Sequence, residues 1–170
     1  MRGDLDRVLR PGLSGARSFA GAVDEDLARW RRLAELSGDG QGRLRGEVKF
    51  DSPGDGSALL RADLELEAAL VCQRCLEPLT LRIPVRVRIA LGEETGAPEE
   101  FEAYGQVEGS TLRQLLEDEL LLEVPSFPVH REIDECGASA QMIERLAPEE
   151  SGHETTQNPF AALASLKRKK

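Results

Sequence analysis

Between Arg43 and Ile89, apolar and charged residues alternate almost one for one, the pattern of strands with one buried and one wet face. The first run, Arg43 to Phe50, sets Leu44, Val48 and Phe50 against Arg43, Arg45, Glu47 and Lys49, and the turn-forming stretch from Asp51 to Gly56 closes it. A longer run from Ala58 to Cys72 places Leu64, Leu66, Ala68, Leu70 and Cys72 on one face and Asp63, Glu65 and Glu67 on the other. After Pro78 a third run repeats the pattern, with Leu79, Leu81, Ile83, Val85, Val87 and Ile89 opposed to Arg82, Arg86 and Arg88. These runs predict an antiparallel meander with one solvated face. Side-chain parity then restricts the pairing of the two long runs. Either Cys72 lies opposite Leu79 or the register is shifted by two, because a slip of one residue would set leucine against arginine.

Helical spacing is found on either side of this sheet. Residues 1–22 mix Gly, Pro, Ser and Arg without a period and are expected to form an irregular arm. From Asp24, a capping residue followed by Glu25 and Asp26, the positions Leu27, Trp30, Leu33 and Leu36 predict a helix that ends in the glycines from Gly38 to Gly42. Residues 92–109 are rich in Gly and Glu and predict an acidic connection anchored by Phe101 and Tyr104. A second helix follows, capped by Ser110 or Thr111 with Gln114 completing a capping box, and Leu112, Leu115, Leu116 and Leu120 at core spacing. Glu117, Asp118 and Glu119 point in three directions on such a helix and are assigned to a solvated face. Pro125 and Pro128 stop the helix. The expected fold class is α+β: an antiparallel β-meander packed by helices, with an irregular arm and a tethered basic C-terminal segment. The expected domain spans 1–147, and 148–170 is a polar linker and tail.

Composition narrows the function. At 170 residues and 40% hydrophobic, the chain supports one core. No run approaches the roughly 20 apolar residues of a membrane helix, and no export signal opens the sequence, so a cytoplasmic protein is expected. A net charge of -9 argues against coating nucleic acid over the whole surface, and leaves room for local basic patches. Arg82, Arg86 and Arg88 form one such row. They face acidic residues across the strand pair, so cross-strand ion pairs are the expectation, with an RNA-contacting face as the alternative.

Three cysteines are too few and too odd for a disulfide framework. Cys72 and Cys75 form a C-x-x-C at the predicted hairpin tip, and His130 and Cys136 follow the prolines. Together these four residues make a Cys3His set suited to one structural zinc. The alternative, a core thiol at Cys72 beside a hydrogen-bonded loop histidine, stays open. A thiol oxidoreductase is a third functional reading. It is disfavoured because Leu76-Glu77-Pro78 leads into a strand, whereas redox motifs of this kind open a helix that lowers the thiol pKa.

The C-terminal stretch carries a second signal. Asn158 and Pro159 can start a helix whose apolar side holds Phe160, Leu163 and Leu166, and Lys167, Arg168, Lys169 and Lys170 sit at its negative end. A basic amphipathic segment on a polar tether suits folding against a partner, RNA or a ribosomal surface.

With these parts assembled, the chain resembles the YceD family of large ribosomal RNA subunit accumulation proteins. The match rests on Cys72-Gln73-Arg74-Cys75, Glu117-Asp118-Glu119, the stretch from Pro125 to His130, Cys136, and Asn158-Pro159-Phe160 with the residues through Lys169. The resemblance implies a non-enzymatic ribosome biogenesis factor supporting accumulation and processing of 23S rRNA and 50S assembly. Precursor large-subunit rRNA or the assembling 50S particle would be its partner, with no membrane involved. The other reading is an adapter that recruits a nuclease or ribosomal protein without touching RNA.

Overall fold

A computed structural model describes residues 2–38, 40–53, 56–92, 98–104, 107–140, 142 and 145. The fold is α+β: a five-stranded sheet with a few short helices. Strands β1 (Phe19–Asp26), β2 (Gly42–Asp51), β3 (Ala58–Val71) and β4 (Pro78–Leu91) form the antiparallel meander, and β5 (Glu102–Tyr104) adds to β4 in parallel. Among the described residues the helices α1 (Arg2–Leu5), α2 (Arg31–Leu36) and α3 (Leu112–Glu123) accompany it. A first compact unit spans residues 1–131. In the second, the described residues form a 3-10 turn over Asp134–Ser139.

The alternation read from the sequence sets the faces of the central strands. Leu44, Val48 and Phe50 from β2, Leu60, Leu64 and Leu66 from β3, and Val85, Val87 and Ile89 from β4 are buried in one cluster. Helix α3 packs on β4 and joins Leu112, Leu115, Leu116 and Leu120 to that cluster, and both α1 and α2 pack on α3. Thr111 caps α3 with the expected box: its hydroxyl accepts from Gln114 N while the Gln114 side chain accepts from Thr111 N at 2.8 Å. Gly46 is required where β2 passes β3, since at φ +144° a Cβ would lie 2.1 Å from the Asp63 carbonyl oxygen.

The β3–β4 register is the one shifted by two from Cys72 opposite Leu79. Leu70 pairs with Leu79, Leu64 with Val85, Asp63 with Arg86 and Glu67 with Arg82. In this register Cys72 N donates to Glu77 O at 2.9 Å, which leaves only Gln73 to Leu76 to make the turn.

Four expectations are corrected. The predicted helix from Asp24 is instead strand β1 followed by a 3-10 turn (Leu27–Arg29), and helix begins only at Arg31. The acidic run has the composition of a helical first turn, but Val23, Glu25 and Leu27 alternate inward while Asp24 pairs with Arg43 across the strands. Burying Glu25 depends on Arg113 from α3, 2.7 Å away, a partner that local sequence does not reveal. The arm of residues 1–22 is not irregular throughout: Leu5, Leu9 and Leu13 are buried in the core, Leu9 N donates to Ser110 O, and β1 begins at Phe19. The 92–109 connection contributes β5 and the buried residues Phe101 and Val107, with the Arg61 guanidinium 4.8 Å over the Phe101 ring. Finally, Glu117 is not solvated. It is buried and its Oε1 accepts from the backbone N–H groups of Arg32 (2.8 Å) and Leu33 (3.2 Å), which cap the start of α2.

Candidate metal centre

The turn between β3 and β4 brings the first two thiols together. Leu76 N donates to Cys72 O at 2.8 Å, and Leu76 takes the left-handed φ of +63° that so tight a turn demands. The two residues between the cysteines also hold the loop that follows α3. Gln73 N donates to Pro128 O at 2.8 Å and the Arg74 guanidinium donates to His130 O. This stitching sets His130 beside the thiols. Its Nδ1 lies 3.5 Å from Cys75 Sγ, and its backbone N–H donates to Cys72 Sγ at 3.4 Å. Cys136 is a buried thiol on the 3-10 turn, and the ligand atoms of Cys72, Cys75, His130 and Cys136 all lie within 4.8 Å of one another. None of the three cysteines is in a disulfide.

The separations suit a tetrahedral ion. With Zn–S near 2.3 Å and Zn–N near 2.0–2.1 Å, a thiolate and an imidazole nitrogen stand about 3.6 Å apart and two thiolates about 3.8 Å apart. The Cys75–His130 separation of 3.5 Å already meets the first figure. The remaining ligand atoms lie no more than 4.8 Å apart.

Electrostatics points the same way. Burial pushes the Cys72 thiol up, but backbone N–H groups of His130, Cys75 and Arg74 donate toward its sulfur and, with the Cys75 side chain, bring it down to about 5. Sequence reasoning reserved such activation for a helix N-terminus, and here turn amides supply it. The sulfur is nevertheless withdrawn from solvent, since Cys72 is fully buried. Gln73 and Arg74, between the two thiols, carry no role in the sequence reading. Their role in gripping the loop has no signal in composition or spacing.

The other candidate residues fall elsewhere. Arg82 pairs with Glu67 at 2.8 Å, Arg86 with Asp63 at 3.8 Å, and Arg88 reaches both Asp63 oxygens at 2.9 Å. The arginine row is therefore engaged in cross-strand ion pairs, Arg82 and Arg86 with the acids opposite them and Arg88, which lies opposite Arg61, diagonally with Asp63. The basic segment Asn158 to Lys170 lies outside the described residues. No helix among the described residues is long and apolar enough to cross a membrane.

The family model that matches residues 60–167 is described as "Large ribosomal RNA subunit accumulation protein YceD". A protein of that name from Haemophilus influenzae is 31% identical over 121 residues, covering 65% of this chain and 66% of the relative. The chain thus spans just under two thirds of that relative's length. No solved structure matches. The matched segment contains all four clustered residues and the C-terminal segment as far as Lys167, whereas β1, β2 and the N-terminal arm precede it.

Proposed function

Since the chain belongs to the YceD family, we propose that it is a non-enzymatic cytoplasmic factor supporting accumulation and processing of 23S rRNA and assembly of the 50S particle. The observation that carries this reading is the reach of the family match, which runs from the start of β3 through the Cys3His set and into the basic C-terminal segment. The segment Asn158 to Lys170 is assigned to precursor rRNA or the assembling particle, with Phe160, Leu163 and Leu166 on its apolar side and Lys167, Arg168, Lys169 and Lys170 toward phosphate. One zinc on Cys72, Cys75, His130 and Cys136 is its structural cofactor: it ties the loop after α3 to the β3–β4 turn. The burial of Cys72 supports this over catalysis.

Sedimentation of tagged protein on a sucrose gradient tests the reading. The full chain should travel with large-subunit precursors, and deletion of residues 158–170 should release it to the top. Unchanged sedimentation of the deletion would remove the tail's role.

A second reading is favoured by one observation. Leu76, Leu122 and Phe127 are exposed by 73%, 79% and 78%, large apolar side chains left open to a protein partner. An adapter recruiting a nuclease or ribosomal protein would use it. Crosslinking separates the two, because an adapter yields protein adducts and no rRNA adduct.

A further inference from the structure

The N-terminal segment folds back on itself to edge a cleft of about 460 Å³ with Arg7, Arg10 and Arg17, all exposed. Charge pairing distinguishes these three side chains. The arginines of β2, β3, β4, α2 and α3 each lie within ion-pair distance of a carboxylate. Arg7, Arg10 and Arg17 have no such partner among the described residues. On a chain of net charge -9, this leaves three cations around one concavity outside ion-pair distance of any described carboxylate, with Asp4 sharing the adjoining hollow with Arg7 and Arg17.

The backbone that carries them is fixed. Leu9 is tied on both sides, its N–H to Ser110 O at 2.8 Å and its carbonyl to Gly109 N at 3.0 Å. Leu13 N donates to Arg10 O and Ala16 N to Leu13 O, each at 2.9 Å, and the Leu9 and Leu13 side chains are buried. The turn needs left-handed backbone at Gly12, Leu13 and Gly15, with φ of 55°, 53° and 75°. Leucine in that region costs on the order of 1–2 kcal/mol, a strain that recurs at ligand clamps.

We propose that this cleft is a phosphate-binding subsite for the backbone of single-stranded RNA, with Arg7, Arg10 and Arg17 donating to phosphate oxygens. The proposal rests on the rRNA reading above and deepens it by naming a contact surface outside the family-matched segment. Guanidinium forks match phosphate oxygens in pairs, and phosphate contacts need no base-reading groups. An acidic protein surface cannot approach a polyanion broadly, so contact has to be local and cationic.

The test uses the full chain and a short fluorescein-labelled single-stranded RNA of mixed sequence, followed by anisotropy over a range of salt. Replacing Arg7, Arg10 and Arg17 together by Gln should lower the slope of log affinity against log salt by about 2, three contacts at about 0.7 each, and weaken binding about a hundredfold near 0.1 M salt. The matched control, Arg82→Gln, Arg86→Gln and Arg88→Gln, makes the same change in net charge and should bind nearly as the native chain does. Equal losses in the two variants would mean a net-charge effect and overturn the subsite. So would native-like binding by the Arg7, Arg10 and Arg17 variant, or a native chain that does not bind the probe. Ultraviolet crosslinking of the native chain gives an answer independent of whether the variant folds: RNA adducts on the peptide spanning residues 7–17 are expected, and adducts confined to other peptides refute the proposal. If an oligoglutamate binds through these arginines and the RNA does not, the occupant is an acidic protein and the RNA assignment is wrong. The sedimentation experiment is scored separately. A native chain that tracks precursors alongside an unaffected triple variant would sink the subsite alone, while a native chain that fails to track them would sink the broader reading.

Discussion

Glu117→Ala should destabilise the first unit by about 2–4 kcal/mol. The figure follows from what the carboxylate holds. Its Oε1 accepts two backbone N–H groups at the start of α2, where Trp30 stands at the cap and supplies no side-chain acceptor. The Arg32 N–H is part-buried and can turn to water, so its loss costs about what a missing cap does, roughly 1 kcal/mol. The Leu33 N–H is buried, and leaving it without an acceptor adds about 1–3 kcal/mol. The contact between Glu117 Oε2 and Arg32 Nε at 3.9 Å adds little, because the arginine is 47% exposed. Glu117→Gln keeps an acceptor in place without its charge and should cost about half as much, since charge-assisted bonds are roughly twice as strong as neutral ones. Urea unfolding of the full chain, followed by Trp30 fluorescence, measures both. Asp118→Ala, which removes a more exposed ion pair with Arg32, is the comparison and should stay below about 1 kcal/mol. A Glu117→Ala variant within about 0.5 kcal/mol of the native chain would behave as an ordinary surface substitution and would refute the capping role.

Two further outcomes follow from the structure. Elemental analysis of protein purified without chelator should find one zinc per chain, with Cys75→Ser and His130→Ala nearly devoid of it and a strong chelator lowering the melting temperature of the native chain. A metal-free native chain that melts alike with and without chelator would exclude the cofactor. Glu119 is held above the usual carboxylate range by burial and by the nearby charges of Glu102, Asp118 and Glu123. Because its folded pKa is raised, ionising it opposes folding, so Glu119→Gln should raise the melting temperature at pH 7, and the advantage should vanish as pH falls through the carboxylate range. An equal advantage at both ends of that range would show the cause is not charge.

Alternation made the central sheet legible. Once Leu64, Leu66, Val85 and Val87 had to share a face, only registers two apart remained, and the short turn from Gln73 to Leu76 selected between them. The capping box at Thr111 and the stop at Pro125 were equally local and equally visible. What stayed hidden depended on distant partners. Glu25 and Glu117 look like surface acids until Arg113, Arg32 and Leu33, more than 80 positions away, supply their counterparts. The four clustered residues were nameable from their chemistry, but the turn amides that lower Cys72 and the grip of Gln73 and Arg74 on the loop belong to backbone geometry. The cleft at residues 7–17 escaped for a related reason: arginines in an aperiodic stretch carry no sign of which acids they will fail to meet.

The docking of the N-terminal arm also bears on how the chain emerges from the ribosome that makes it. Leu9 is held by Gly109 and Ser110, and Asp6 pairs with Arg113, 107 positions later. The arm therefore cannot settle until its partners, about a hundred positions later, have followed it out. Until then Leu5, Leu9 and Leu13 wait without a core, and the arginines between them lie on an unplaced strand of chain. Closing so wide a loop is slow, so the arm, translated well before residues 109–113, is among the later segments to be placed.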